Sequence, residues 1–380
     1  MAPFAAKLSE EGHDVVFATA DPFCERVAAA GFRVVKAGHS PQVPTPPGVV
    51  DDTRLNYGTW VTRLKTNDLL AFAGNWRPQV IVREQTDFAS ILAAEVLQLP
   101  HATIGFAQFY PLARWPHELG PTLEILRHEY GLRSDPYLDR LYPYLYLSTV
   151  PPWFDRPRDQ LVPTLVPIRP TNYDFAGPVG IPDWLDRLPE RPLVYATLGT
   201  VYNKHRRFFS VVAEALAHED VEVVCTVGPD QEPEHVVPCP PPNMHVARYI
   251  PHTLLYPRCA AIISHGGFST VIGALCAGIP MVNVPHGSDQ PGNADRTAEL
   301  GAGLVLAMED LDPDRIRAAV TQVLHEPGFR AAAGVFRDAV LQLPSVDHGA
   351  RLLALLPDLV ATETAIASYS SSLLRSHRSW

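Results

Sequence analysis

Cysteine is scarce in this sequence: five occur among 380 residues, and no two of them form a C-x-x-C pair. Without such pairs the sequence has neither the usual spacing of a zinc site nor that of a disulfide framework. Each cysteine lies in or near an apolar stretch, which is typical of small buried side chains in a reducing compartment. We therefore expect these residues to be structural and no metal to be bound. The five are Cys24, Cys225, Cys239, Cys259 and Cys276.

Long apolar runs and an excess of positive charge are also missing. The 31 lysines and arginines, against 41 aspartates and glutamates, give a formal charge of −10. That balance provides no basic surface for nucleic acid or anionic lipid. No segment approaches the roughly 20 consecutive apolar residues of a membrane helix, and no charged-then-apolar signal opens the sequence. We expect a soluble, cytoplasmic protein with no membrane or nucleic-acid partner.

The length predicts two domains, at roughly 100–200 residues each, and both halves alternate between strand-like and helix-like patterns. Continuous apolar runs predict buried strands at residues 14–19, 32–35, 79–82, 101–104, 193–198, 221–226, 260–263 and 281–284. Helical spacing predicts helices at residues 4–8, 27–30, 88–97, 208–217, 270–276 and 295–300. Repeated βα units form doubly wound parallel sheets, so the predicted fold class is α/β.

Proline marks the domain boundary. Seven prolines fall between residues 162 and 192, a density that neither a helix nor a central strand tolerates. We predict an N-terminal domain at 1–165, a linker at 166–192, a C-terminal domain at 193–345, a helix at 346–361 packing back on the first domain, and a disordered Ser-rich tail at 362–380.

Two segments, residues 38–58 and 107–133, are rich in proline, aromatic residues and histidine and have no clear periodicity. Long irregular insertions on an α/β scaffold often line a binding site. Surface loops without a ligand are the alternative interpretation.

Residues 264–270 read Ser-His-Gly-Gly-Phe-Ser-Thr, between a predicted strand and the start of a helix. The unpaired N–H groups and the positive end of the helix dipole attract an anion, and glycines let phosphate oxygens approach the backbone closely. His265 adds a side-chain donor, and Ser269 and Thr270 add hydroxyls. The alternative is that both hydroxyls merely cap the helix.

One βα unit later, residues 285–293 read Pro-His-Gly-Ser-Asp-Gln-Pro-Gly-Asn. Because ligands bind beyond the carboxyl ends of strands in open α/β sheets, we expect this loop beside His265. A carboxylate and an amide, Asp289 and Gln290, suit the donors and acceptors of sugar hydroxyls. Alone, the pair would be a solvated turn; beside a phosphate loop, a sugar site is favoured.

These motifs resemble the donor signature of glycosyltransferase family 1, and within it the bacterial natural-product enzymes that act on polyketides and related antibiotics. The resemblance extends from residue 1 to about residue 356 and is most specific in the second half. The matching segments are 12–19, 77–84, 99–100, 175–178, 182–185, 197–200, 248–252, 265–270, 278–280 and 289–294.

The resemblance implies a GT-B fold, with two facing Rossmann-like domains that bind the acceptor and the nucleotide-sugar donor respectively. It also implies an inverting, metal-independent transfer of a deoxyhexose or hexose from a TDP- or UDP-sugar to a hydroxyl of a bulky apolar acceptor. The sequence leaves open whether the protein forms a homodimer. Loops 199–200 and 265–270 would contact the diphosphate, 289–290 the sugar, and 249–250 the base. The implied donor-binding residues are Gly199, Thr200, Tyr249, Ile250, His265, Gly266, Gly267, Ser269, Thr270, Asp289 and Gln290. For Tyr249, a packed core tyrosine is an equal alternative.

Two parts of the family pattern are missing at the front. The family has a first strand and a base histidine before its first helix, whereas residues 1–8 already match that helix. We therefore expect both to lie upstream, with Met1 placed too late or the gene truncated; loss of a central strand would cost several kcal/mol. The carboxylate that orients the base corresponds to Glu84, unless Arg83 and Glu84 form a charged surface pair.

Other functions compete with the transferase. A truncated, inactive homologue that binds a nucleotide sugar without turning it over is the main alternative. A nicotinamide-dependent oxidoreductase is disfavoured because no G-x-G-x-x-G follows any predicted strand. An NDP-sugar epimerase shares only the architecture.

Overall fold

The computed structural model describes residues 1–21, 23–39, 60–106, 115–155, 162–171, 182–199, 204–228 and 230–361. The chain forms two compact units, the first comprising Met1–Arg169 and Pro344–Trp380 and the second Pro170–Leu343. Thr200 and the tail at 362–380 lie outside the described residues. Among the helices that are described, none is both long and apolar enough to cross a bilayer.

All strand pairs in unit 1 are parallel, and the described strands form two separate sheets. One sheet pairs β1 with β2, and the other has the order β3-β4-β5-β6. A central first strand is expected upstream of residue 1 from the sequence; in the structure β1 and β3 each have a described partner on one side only. The strands are β1 (Val16–Thr19), β2 (Arg33–Lys36), β3 (Ile81–Glu84), β4 (His101–Gly105), β5 (Leu145–Ser148) and β6 (Leu165–Pro167).

Apart from the single turn Trp115–Glu118, two described helices of unit 1 were not predicted from the sequence. These are Trp60–Trp76, and Gly120–Glu129 inside the segment predicted to be irregular. Their core-facing positions include polar residues such as Thr62, Thr66 and Arg127, which break the apolar pattern. The helices are α1 (Ala2–Glu10), α2 (Phe23–Ala29), α3 (Trp60–Trp76), α4 (Phe88–Leu97), α5 (Trp115–Glu118) and α6 (Gly120–Glu129), with a 3-10 turn at Asp139–Leu141.

Unit 2 contains one six-stranded parallel sheet with the order β12-β11-β10-β7-β8-β9. The central strands β7, β8 and β10 are almost wholly buried, because helices cover both faces of a doubly wound sheet. The strands are β7 (Leu193–Thr197), β8 (Glu222–Thr226), β9 (Met244–Ala247), β10 (Cys259–Ser264), β11 (Met281–Asn283) and β12 (Gly303–Val305).

The helices of unit 2 alternate with these strands, as βα connections require. They are α7 (Arg206–Leu216), α8 (Pro233–Val236), α9 (His252–Leu255), α10 (Phe268–Cys276), α11 (Gln290–Glu299), α12 (Pro313–His325) and α13 (Pro327–Val340), with 3-10 turns at Leu185–Arg187 and Tyr256–Arg258.

The chain returns to unit 1 through α14 (Val346–Ala361). This helix packs on α1, where Phe4, Leu353 and Leu356 are buried in one cluster. A Cβ at Gly349 would lie 2.5 Å from the Phe4 ring, so the contact requires glycine there.

The expected linker at 166–192 is divided differently in the structure. Residues up to Arg169 belong to unit 1, and Pro167 ends β6 at the edge of its sheet. An edge strand tolerates proline because one side of its backbone has no ladder partner. The proline density therefore marks the region of the boundary but places its start a few residues too early.

Candidate functional site

Three neighbouring strands of unit 2 end at the same edge and bring three loops together. Ser264, the last residue of β10, lies in register with Thr197 of β7 and Asn283 of β11. Gly199, His265 and the loop beginning at Pro285 follow these strands directly. The structure therefore places the sequence-predicted phosphate and sugar loops side by side, at the edge where α/β sheets bind ligands.

The ring of His265 occupies the space between two glycines and is only 8% exposed. A Cβ at Gly267 would collide with Nε2 of His265, and one at Gly199 would lie 2.9 Å from Cε1. Gly199 also has a φ of +71°, which disfavours other residues. Both glycines are therefore required by the position of the imidazole ring.

Buried polar side chains hold the glycine loop in place. Ser264 Oγ accepts a hydrogen bond from Gly266 N (3.0 Å) and donates one to Oδ1 of Asn283 (3.0 Å). Nδ2 of Asn293 donates to the Gly266 carbonyl (3.0 Å) and to Oδ2 of Asp289 (2.8 Å). The sequence analysis assigns no role to Ser264 or Asn283. Their positions at strand ends give the only sequence signal for such a role.

The start of α10 carries no side-chain cap. Gly267 is the N-cap residue, and Ser269 and Thr270 come two and three positions later. Ser269 is exposed, whereas Thr270 is 5% exposed. Neither hydroxyl is the N-cap, so the capping-only alternative does not describe this helix. The dipole of a helix of nine residues points at the glycine loop and favours an anion there.

Burial dominates the titration of His265. Burial and, to a smaller extent, the nearby His286 lower the pKa of the imidazole to about 4, against the opposing effects of Asp289 and a backbone hydrogen bond with Thr197. At neutral pH the ring is therefore uncharged and can donate one N–H to a ligand.

Asp289 and Gln290 have different surroundings. Asp289 is exposed and accepts the hydrogen bond from Asn293, which orients its carboxylate. Gln290 is 2% exposed, and its Oε1 accepts from His286 N at 3.0 Å. The structure therefore gives Gln290 a place in ordering its own loop and leaves Asp289 at the surface of the site.

The two residues expected to contact the nucleobase, Tyr249 and Ile250, also differ in their burial. Ile250 is completely buried, so its side chain belongs to the core, and only its backbone could contact a base. Tyr249 is half-buried, just beyond β9 at the far edge of the sheet.

Glu84 lies in unit 1, at the end of β3. Its carboxylate accepts hydrogen bonds from Thr86 N (2.8 Å) and Thr86 Oγ1 (2.6 Å). Burial raises the pKa of Glu84 above its usual value, against these two bonds. Arg83 is 1% exposed and donates to the carbonyls of Glu84, Gln85 and Leu141. The alternative of a charged surface pair is wrong, because the side chain of Arg83 points into the core.

Sequence and structure comparisons agree with this geometry. The family described as "Erythromycin biosynthesis protein CIII-like, C-terminal domain" matches residues 210–354. A desosaminyl transferase of Saccharopolyspora erythraea, acting on 3-alpha-mycarosylerythronolide B, is 30% identical, with 73% of this chain and 68% of that protein aligned. Aklavinone 7-beta-L-rhodosaminyltransferase of Streptomyces galilaeus is 28% identical, with 88% and 87% aligned. The crystal structure of the glycosyltransferase VinC in complex with dTDP is 27% identical, with a TM-score of 0.73 over 94% of this chain and 96% of that one.

The parallel α/β units and this structural likeness define a GT-B glycosyltransferase fold. The chain belongs to the bacterial natural-product glycosyltransferases of family 1, and it is an enzyme of the glycosyltransferase class.

Proposed function

We propose that this enzyme transfers a deoxyhexose from a TDP- or UDP-sugar to a hydroxyl of a bulky apolar natural product such as a polyketide. The relatives named above transfer desosamine and rhodosamine, and one structural neighbour is complexed with dTDP. The single observation that carries the proposal is the glycine loop wrapped around His265 at the start of α10.

The reaction places different demands on the two units. The acceptor hydroxyl loses its proton to a base, its oxygen attacks the anomeric carbon, and the bond from that carbon to the diphosphate breaks. Inversion follows from a single displacement. Glu84, half-buried at the end of β3, is the proposed partner of that base.

In unit 2, the α10 dipole and the N–H of His265 stabilise the charge that develops on the leaving diphosphate. We propose that no metal takes part. In the part of the chain that the structure describes, no three His, Cys, Asp or Glu side chains are grouped so as to hold a metal ion.

Nucleotide binding tests the donor site. TDP or UDP should raise the melting temperature, and His265→Ala should weaken affinity by about tenfold to a hundredfold, because a hydrogen bond to a charged group contributes about 1.5–3 kcal/mol. His218→Ala, an exposed histidine beyond the end of α7, is the matched control. If neither TDP, UDP nor GDP changes the melting temperature, the donor-site proposal fails.

The sugar role is tested by Asp289→Ala with Asp295→Ala as control, since both aspartates are exposed at α11. Asp289→Ala should leave nucleotide affinity unchanged and weaken binding of the nucleotide sugar; Asp295→Ala should change neither. Mass spectrometry of sugar transfer, together with assay of released nucleoside diphosphate, distinguishes turnover from binding alone. Donor that is bound but never consumed would favour an inactive nucleotide-sugar-binding homologue.

A further inference from the structure

Two histidines outside the family motif follow one another outward from His265. The ring of His286, in the loop after β11, has its centroid 6.0 Å from that of His265. The ring of His205, the residue before α7, lies 4.5 Å from His286. Three imidazoles from three different loops thus form a row, which we call the histidine row, that begins at the glycine loop.

The row becomes progressively more exposed along its length. His265 is buried, His286 is half-buried and His205 is exposed. Lys204 and Arg206, the sequence neighbours of His205, are both exposed, and Asp289 is the carboxylate near the buried end of the row.

Without a ligand, protonation of several imidazoles in this row is unfavourable. Histidine is the side chain that changes charge between about pH 5 and 8, and like charges a few ångströms apart disfavour one another. An anion among the rings removes that penalty and favours protonation. The described residues offer no group able to hold a metal ion, so an anion is the ligand that this row suits.

We propose that His205 and His286 bind the donor diphosphate together with His265, and that donor binding takes up protons. The inference rests on the proposed function, because the anion is the diphosphate of the nucleotide sugar. By linkage, the uptake of protons on binding requires the affinity for the donor to rise as the pH falls.

The test measures the Kd of TDP-glucose and UDP-glucose by calorimetry between about pH 5.5 and 8.5. A nucleotide sugar has no terminal phosphate monoester, whose second pKa near 6 would add its own pH dependence. In the free enzyme His265 is neutral in this range, since its pKa is about 4. The variants of His205 and His286 described below assign the slope to those two residues.

For the wild type, we expect the Kd to rise by about tenfold or more across this range, the change that one pKa unit of linkage produces. Calorimetry in two buffers of different ionisation enthalpy should show uptake of about one proton near pH 6.5. His286→Gln should reduce both effects, and the His205→Gln/His286→Gln variant should abolish them. His218→Gln, at the other end of α7, should retain the wild-type slope, and melting temperatures at each pH check that every variant is folded.

A wild-type Kd that does not change with pH, or a double variant with the wild-type slope, would overturn the inference and leave the proposed function intact. Absence of binding by the wild type at every pH would instead count against the proposed donor site and, with it, against the inference.

Discussion

At the scale of single residues, the His265 ring constrains the side chains of its neighbours. Gly267 has an ordinary backbone conformation, with φ −61° and ψ 138°, so any residue could adopt its dihedral angles. Only the approach of Nε2 of His265 excludes a side chain at this position. Glycine here serves the ring rather than the backbone.

Gly267→Ala should therefore displace the imidazole and weaken donor binding by more than about tenfold, a loss of at least about 1.4 kcal/mol. The measurement is the Kd of the nucleotide sugar. Gly334→Ala is the control, because it lies within α13 with no atom within 4 Å of the added Cβ. That variant should keep the donor affinity and gain about 0.5–1 kcal/mol of stability. Wild-type affinity in Gly267→Ala would contradict the steric role.

At the scale of elements, two aspartates cap helices in very different surroundings. Asp87 begins α4, accepts from Ser90 N (3.2 Å) and from Lys65 Nζ (2.9 Å), and has a side chain only 10% exposed. Burial would raise the pKa of Asp87, but Lys65 and Ser90 outweigh it and hold the pKa below its usual value. Asp312 begins α12, accepts from Arg315 N (3.0 Å), and has a half-exposed side chain.

Asp87→Ala should lower the free energy of unfolding by about 3 kcal/mol, since it removes a cap and leaves the half-buried ammonium of Lys65 without its carboxylate. Asp312→Ala removes a cap and an exposed ion pair with Arg315, which contributes little, and should cost about 1 kcal/mol. Urea unfolding, monitored by hydrogen exchange in each unit, measures the loss of unfolding free energy in both variants. Equal losses would mean that burial of the Asp87–Lys65 pair adds nothing to the cap.

At the scale of the whole molecule, the described residues of each unit include a buried histidine with a strongly lowered pKa. Burial and the charge of Arg83 lower the pKa of His101 to about 3, and that of His265 is about 4. As the pH falls, both histidines are protonated near pH 6.5 in the unfolded chain but only at a lower pH in the folded units. Stability is therefore complete above about pH 6.5 and falls as the pH decreases, by up to about 5 kcal/mol for His101 and about 3 kcal/mol for His265.

His101→Phe keeps a ring in β4 and removes the titrating group, so unit 1 should resist acid to a lower pH. Circular dichroism during acid titration measures the midpoint. His13→Gln, an exposed histidine before β1, should leave that midpoint unchanged. An unchanged midpoint in His101→Phe would show that protonation of His101 does not limit acid stability.

Local pattern alone predicted much of the fold. The helix predicted at 88–97 is α4 with the same bounds, and the strand runs of the second half lie in β7, β8, β10 and β11. These elements have unbroken apolar periodicity, which needs no knowledge of the rest of the chain. The helices α3 and α6 were missed, because their inner positions carry threonine and arginine. Those residues find partners on other elements only in the folded unit: Thr66 Oγ1 donates to the Ala89 carbonyl (3.4 Å), and Arg127 pairs with Glu95.

The sequence by itself determined the α/β class, the glycine loop and the resemblance to glycosyltransferases, since each depends on residues close together in the chain. Only the tertiary structure decided which distant side chains meet. Strand order and register place His205 beside His286, bury Arg83 and hold the pKa of His265 near 4. Contacts and burial of this kind depend on how the elements pack, and periodicity within one element contains no information about its neighbours.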